Sequence, residues 1–380
     1  MSRSVTLFEP LIGREEEEAV LRVLRRNWLS MGPETEAFER EFAAYLGVNH
    51  AVAVNSCTAA LHLACQVAGL GPGDEVIVPS LTFVATANAV RYTGASVRFV
   101  DIESESDWTI SVSAVESMLT DRTRAVIAMH YAGAATDLKA LRALCDARGL
   151  HLIEDACHGL GSTLDGEALG TFGETGCFSF YSNKIMTTGE GGMLTTNDAG
   201  LADYARKLRA HGLTNTAIDR VRGALGYDVV ALGHNYRLDD IRAAIGRTQL
   251  SRLPASIARR QELVRAYDDR LAELESVSVP TFGGRTVSSH YIYPTLLGKG
   301  INRDAVRERM SALGVQTSVH YAPVHLFEHY KREGTATLPL TEDIAARCIT
   351  LPLYPQMRDD DPEFVVDVMK RAIADVAGAA

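Results

Sequence analysis

The chain has 380 residues, 46% of them hydrophobic and 23% charged, the composition of a folded globular protein too long for one simple core. Its net charge is −10 and no Lys/Arg run is long enough to form a basic stripe, which argues against nucleic-acid binding. No apolar stretch reaches the length of a membrane span, and the start (Met1-Ser2-Arg3-Ser4-Val5-Thr6-Leu7) lacks the apolar core of a signal peptide. The cysteines are scattered, with no CxxC and no framework spacing. A cytoplasmic protein with reduced thiols, no metal site and no membrane partner is expected.

Residues 14–27 are acidic and then basic around Ala19, Val20, Val23 and Leu24 at helical spacing, and residues 34–46 repeat the pattern before Gly47, a helix stop. Residues 51–54 form a short apolar strand, and 58–69 read as a helix with Ser56 near its N-cap. The turn Gly71-Pro72-Gly73-Asp74 leads into a strand at 75–78. A helix is predicted over 82–92, strands over 97–101 and 125–129, a helix over 137–148 ending at Gly149, and a buried strand over 151–154. Repeated strand–helix–strand units with near-continuous apolar strands predict a mostly parallel sheet covered on both faces. Residues 178–181 and 192–196 are expected to add to it.

From Asp239 the pattern changes. Two long helices are predicted, 238–253 and 256–274, joined near Pro254. Shorter units follow at 290–296, 303–313 and 316–321, with a final helix over 362–376. The organisation expected is a large α/β domain over residues 1–250 and a smaller α+β domain over 251–380.

Several residues that carry chemistry fall at predicted strand ends, where ligands bind in open α/β sheets. Ser56-Cys57-Thr58-Ala59 opens a helix, whose free N–H groups and positive dipole suit a phosphate, although Ser and Thr serve equally as ordinary caps there. Asp155 ends the 151–154 strand, with Glu154 pointing to the opposite side. It is placed either to hold a protonated ring nitrogen or to begin a turn. Lys184 lies between the aromatic strand Phe178-Ser179-Phe180-Tyr181 and Gly189-Glu190-Gly191-Gly192; a solvated loop lysine would not need such tight glycines. A strand-end lysine and a strand-end carboxylate are what pyridoxal phosphate (PLP) requires, the lysine for a Schiff-base link and the aspartate for the pyridine nitrogen. Burial beside a ring is expected to lower the lysine pKa. Ser179 can reach a phosphate. Phe83 can cover a ring face or fill the core, and His158 can meet the cofactor's phenolic oxygen or serve the structure.

At this point the chain resembles the DegT/DnrJ/EryC1/StrS aminotransferases, which have the aspartate-aminotransferase fold (fold type I), and the resemblance implies a large α/β domain with a mostly parallel sheet of the seven-stranded type plus a smaller α+β C-terminal domain. The resemblance rests on Ser56-Cys57-Thr58-Ala59-Ala60-Leu61-His62-Leu63, Pro72-Gly73-Asp74-Glu75-Val76-Ile77-Val78-Pro79, Thr82-Phe83-Val84-Ala85-Thr86, Glu154-Asp155-Ala156, the Phe178–Lys184 segment, Thr188-Gly189-Glu190-Gly191-Gly192, Gly233-His234-Asn235-Tyr236-Arg237 and Leu351-Pro352-Leu353-Tyr354-Pro355. It implies that Lys184 carries PLP, Asp155 pairs with the pyridine nitrogen and Phe83 stacks on the ring. It further implies that the Thr58 and Ala59 backbone and Ser179 bind the phosphate. Asn235 would reach the phosphate in the neighbouring subunit of a homodimer, and His320 and Tyr321 would line a sugar pocket. Cys57 and His158 depart from the glycine and glutamine many members carry. Relatives that act as sugar 3-dehydratases replace the lysine with histidine, so Lys184 favours transamination.

The reaction expected is transfer of an amino group from glutamate or glutamine to a nucleotide-linked 4-keto-6-deoxysugar. A cyclitol ketone or a 3-keto sugar is the alternative substrate. An inert PLP-binding partner or regulator is the alternative class; a regulator would normally need a fused DNA-binding module, for which no spare segment is expected before residue 14 or after 376.

Overall fold

The computed structural model describes residues 3–332 and 336–378. Helices α1 (Arg14–Arg26) and α2 (Pro33–Leu46) precede the first strand, and Gly47 ends α2 in the left-handed region at φ 75°. Seven strands form the main sheet: β1 (His50–Val54), β2 (Glu75–Pro79), β3 (Ser96–Val100), β4 (Thr123–Met129), β5 (His151–Asp155), β6 (Thr175–Ser179) and β7 (Gly192–Thr196). Their order is β1-β7-β6-β5-β4-β2-β3, and β7 alone runs antiparallel to its neighbours. The carboxyl ends of β1, β2, β5 and β6 therefore share one edge.

Among the helices flanking the sheet are α3 (Cys57–Val67), α4 (Val84–Tyr92), α5 (Leu138–Arg148) and α6 (Ala199–Leu208). Ser56, Asp137 and Asp198 cap three of them, each side chain accepting a backbone N–H three residues on. The apolar strands are buried on both faces, as their near-continuous pattern predicted.

The predicted break at Pro254 does not occur. One helix, α7, runs from Asp240 to Leu271 with Pro254 inside it. Proline removes a single intrahelical N–H donor, while burial on both sides of it holds the helix together. Ala243, Leu250 and Leu253 pack under the main sheet, and Leu263, Val264, Tyr267 and Leu271 enter a second apolar core. Residue 250, the expected domain boundary, falls inside α7, and Val5 also joins the second core. That core lies on a three-stranded antiparallel sheet of β8 (Val277–Ser278), β9 (Tyr293–Leu297) and β10 (Cys348–Leu351), with α8 (Arg303–Ala312) and α9 (Asp361–Gly378) against it.

The short unit expected over 316–321 forms neither a helix nor a strand. Only Ser318 bridges to Thr350, through a reciprocal pair of backbone hydrogen bonds. Within the unit expected over 290–296 the strand begins at Tyr293, and His290 sits in the left-handed region at φ 52°. Among the described residues, no helix is long and apolar enough to cross a membrane.

Candidate active site

A cavity of about 460 Å³ opens at the edge where the strands end. The turn after β1 contributes Ser56, Cys57 and Thr58, and Phe83 and Ala85 come from the start of α4. Asp155 closes β5, Ser179 closes β6, and the loop beyond holds Lys184. Tyr291, His320 and Tyr321 reach in from the later part of the chain.

Helix geometry leaves the Cys57 and Thr58 amides without an intrahelical acceptor, so they form a ready anion site. Ala59 differs from the expectation: its N–H goes to Ser56 Oγ at 3.1 Å, as an ordinary cap would have it, and Ala59 is not a cavity wall. Gly192 is required beside this turn. A Cβ there would meet the Ser56 carbonyl carbon and oxygen at 2.5 Å, so the start of β7 passes against the backbone that opens α3.

Asp155 is buried, accepts the Thr86 hydroxyl on Oδ2 at 2.7 Å and accepts the Cys157 N–H on Oδ1 at 3.3 Å. Glu154 does turn to the opposite side of the strand, where His130 and the Gly170, Phe172 and Gly173 amides surround its carboxylate. Phe83 stands just ahead of α4 rather than within it, lines the cavity and is 54% exposed. It is therefore a wall and not a core aromatic.

Lys184 Nζ lies over the Tyr291 ring, 4.1 Å from its centroid. Its pKa is not lowered as expected. Burial does oppose its charge, but the Tyr291 hydroxyl and the Cys157 and Cys57 sulfurs outweigh that and raise it above the ordinary lysine value. Burial, and the nearby Asp155 carboxylate, push the Cys57 and Cys157 thiols well up.

His158 is buried behind the cavity wall. Its Nδ1 accepts the Ala132 N–H at 3.3 Å, which leaves Nε2 to donate to the Tyr321 hydroxyl at 2.8 Å. Burial and the neighbouring Lys184 hold its pKa well below the usual histidine value. Its contact is thus with Tyr321 rather than with the cavity itself. His320 bonds Thr350 through Nδ1 at 2.9 Å, and burial lowers it to about 3. Asn235 is exposed, its carbonyl accepting the Asn55 carboxamide, and it is not a wall of this chain's own cavity.

Two site residues escaped the sequence reading. Thr86 sits three residues after Phe83, a helical spacing that faces it the same way, so a signal existed. Tyr291 had none, because only tertiary folding carries it to Lys184.

A primary amine, a carboxylate, an exposed aromatic ring and free helix-start amides around one cavity fit the four parts of PLP: aldehyde, pyridine nitrogen, ring face and phosphate. The architecture is the α/β fold type I of PLP-dependent aminotransferases. The chain belongs to the DegT/DnrJ/EryC1/StrS aminotransferase family, whose model matches residues 10–370. It is 39% identical over 373 residues to the spore coat polysaccharide biosynthesis protein SpsC of Bacillus subtilis, covering 95% of each chain. It is 38% identical over 376 residues to the dTDP-4-dehydro-2,3,6-trideoxy-D-glucose 4-aminotransferase of Saccharopolyspora spinosa, covering 97% of each. The PLP form of Spr1654 from Streptococcus pneumoniae superposes with a TM-score of 0.91 at 28% identity, covering 98% of this chain and 100% of that one. The protein is an aminotransferase.

Proposed function

We propose that this aminotransferase uses PLP to move an amino group from glutamate or glutamine to a nucleotide-linked 4-keto-6-deoxysugar. The observation that carries the reading is the meeting of Lys184 and Asp155 on one strand-edge cavity. The Saccharopolyspora relative, named for a dTDP-linked 4-keto sugar, supports the substrate class.

PLP, when bound, supplies an aldehyde that takes up amines and a ring that withdraws electrons from the carbon bearing them. Lys184 is the residue that holds it covalently. Once released, its amine is the base that takes the proton from the donor's α-carbon and the acid that returns one to the sugar carbon. Asp155 holds the pyridine nitrogen, and Phe83 covers the ring face. The Cys57 and Thr58 amides with the Ser56 and Ser179 hydroxyls receive the phosphate. Each turnover converts the donor to its 2-oxo acid or amide and the sugar C=O to CH–NH₂. His320 and Tyr321 face the sugar.

The reading includes a homodimer in which Asn235 of the partner subunit completes the phosphate site. Leu225 and Leu232 support it, being 99% and 89% exposed on the segment leading to Asn235, a placement that suits a protein contact. It also includes a large PLP-binding part over residues 1–250 with a smaller part over 251–380, and a cytoplasmic location.

An absorbance titration with PLP tests the core of this. Wild-type protein should develop a visible band that Lys184→Ala lacks. Glutamate or glutamine should bleach the band and the correct keto-sugar restore it. Wild-type protein that never develops the band would overturn the assignment of Lys184.

A further inference from the structure

Thr86 is fully buried on the first turn of α4. Its oxygen lies 2.7 Å from Asp155 Oδ2, 3.0 Å from the Phe83 carbonyl and 2.6 Å from the hydroxyl of Thr82, itself buried. Proton counting gives these contacts a direction. A threonine has one proton to donate, and a carboxylate can only accept. Thr86 therefore donates to Asp155, and Thr82 donates to Thr86. A buried chain of hydroxyls, Thr82 to Thr86 to Asp155, ends on the carboxylate.

An ordinary helical threonine satisfies its hydroxyl on a carbonyl of its own helix. The Phe83 carbonyl is in place for that, yet the carboxylate is the closer acceptor and the one carrying charge, which makes the stronger bond. The other oxygen of Asp155 is held by the Cys157 amide. Both oxygens thus have a fixed donor from the protein, and the carboxylate cannot turn without breaking one of them. Its remaining lone pairs are left for the cavity that it lines.

We propose that Thr86 is a positioning residue for Asp155: its hydroxyl, itself fixed by Thr82, sets the plane in which the carboxylate meets the pyridine nitrogen of PLP. The proposal rests on the reading of this cavity as a PLP site. Phe83 immediately precedes the helix that carries Thr86, so one hydroxyl ties the residue at the ring nitrogen to the element that presents the residue over the ring face. Thr86 touches neither cofactor nor substrate and acts only through Asp155.

The test uses full-length Thr86→Val, Thr86→Ser and Thr82→Val proteins, each stripped of PLP and titrated with it. The PLP dissociation constant and the visible circular dichroism band of the bound form are recorded beside Tm. Thr86→Val should bind PLP about tenfold more weakly, the scale of one hydrogen bond to a charged group, and its dichroism band should change. Thr86→Ser should return both to near wild type, since it keeps the hydroxyl. Thr82→Val should show a smaller loss in the same direction. A Thr86→Val protein that binds PLP with wild-type affinity and dichroism overturns the proposal, as does Thr86→Ser behaving like Thr86→Val. Should Thr86→Val fail to fold, Thr82→Val with unaltered affinity and dichroism overturns it. Failure of the wild-type protein to attach PLP at Lys184 is a separate outcome, which sinks the cofactor reading itself.

Discussion

Lys184 rests its ammonium on the face of Tyr291, whose hydroxyl donates to Asn183, the residue beside Lys184, at 3.0 Å. Tyr291 thereby holds the lysine twice, once through its ring and once through the adjoining loop. Burial alone would make Lys184 a weaker base, yet its pKa lies above the ordinary lysine value, so this surrounding has consequences for PLP capture. Only the neutral amine attacks an aldehyde. The capture rate of the cofactor-free protein should therefore climb about tenfold per pH unit through the neutral range. Removing the tyrosine leaves burial to act with less opposition, and the profile should move to lower pH. The shift should be larger in Tyr291→Leu than in Tyr291→Phe, which keeps the ring face. Stopped-flow absorbance against pH measures this; superimposable profiles for all three proteins would contradict it.

The carboxylate next to Asp155 has a different task. Glu154 is fully buried and accepts His130 Nε2 at 2.8 Å and the Gly170, Phe172 and Gly173 amides at 2.8, 2.6 and 2.7 Å. This pins the loop between β5 and β6 beneath the sheet. Glutamine offers one acceptor oxygen in place of two and leaves buried donors unmatched. Glu154→Gln should lose about 2–5 kcal/mol of stability. Its PLP affinity should change less than that of Asp155→Asn. Calorimetry and PLP titration on both variants separate the two roles. Equal loss of affinity with no loss of Tm would mean that Glu154 belongs to the site and not to the frame.

How far the sequence carries differs by element. Period and punctuation placed β1, β2, β4 and β5 within a residue or two, because they are apolar runs bounded by Gly, Asp or a helix cap, whereas the strand expected over 178–181 lies at Thr175–Ser179. Lys184, Asp155, Phe83, Ser56 and Thr58 were legible because strand ends in a parallel sheet point to one edge. Pro254 misled because local backbone chemistry favours a break there, and only burial on both sides of the proline outweighs it. Tyr291 and the Thr86–Asp155 bond depend on contacts between segments far apart in the chain, which no local pattern encodes. The direction of the Lys184 shift was missed for the same reason: burial could be guessed, but the phenol and thiols around it could not.

Acid should destabilise the fold before the carboxylates titrate. Burial lowers His62 and His290 to about 4 and His320 to about 3, with His234, Arg260 and Lys184 respectively adding to the effect. In the unfolded chain each ring takes up a proton below about pH 6.5. These folded values are depressed, so the stability they contribute is fully present above about pH 6.5 and is lost as the pH falls toward about 4. Tm should drop between about pH 7 and about pH 5, a window above the ordinary range of Asp and Glu. His62→Gln should flatten the slope. A Tm indifferent to pH across that window would show that the rings are protonated in the fold.

Asn235 offers the sharpest test of the dimer. It is exposed in its own chain and lies on the segment that follows the exposed Leu225 and Leu232, whereas Lys184 lies inside its own cavity. If Asn235 serves the partner subunit, each site draws Lys184 from one chain and Asn235 from the other. Lys184→Ala homodimers should be inactive, and Asn235→Asp homodimers should bind PLP poorly, because a carboxylate would face the phosphate. A mixed dimer of the two variants contains one site with both defects and one with neither. Unfolding and refolding an equal mixture should make half of the dimers mixed, and so recover about a quarter of the wild-type sites and activity. Sites that draw both residues from one chain would recover nothing beyond the sum of the two parent proteins, because every site would then keep a defect. Counting PLP-bearing sites by absorbance after gel filtration gives the answer even if the sugar substrate is not in hand.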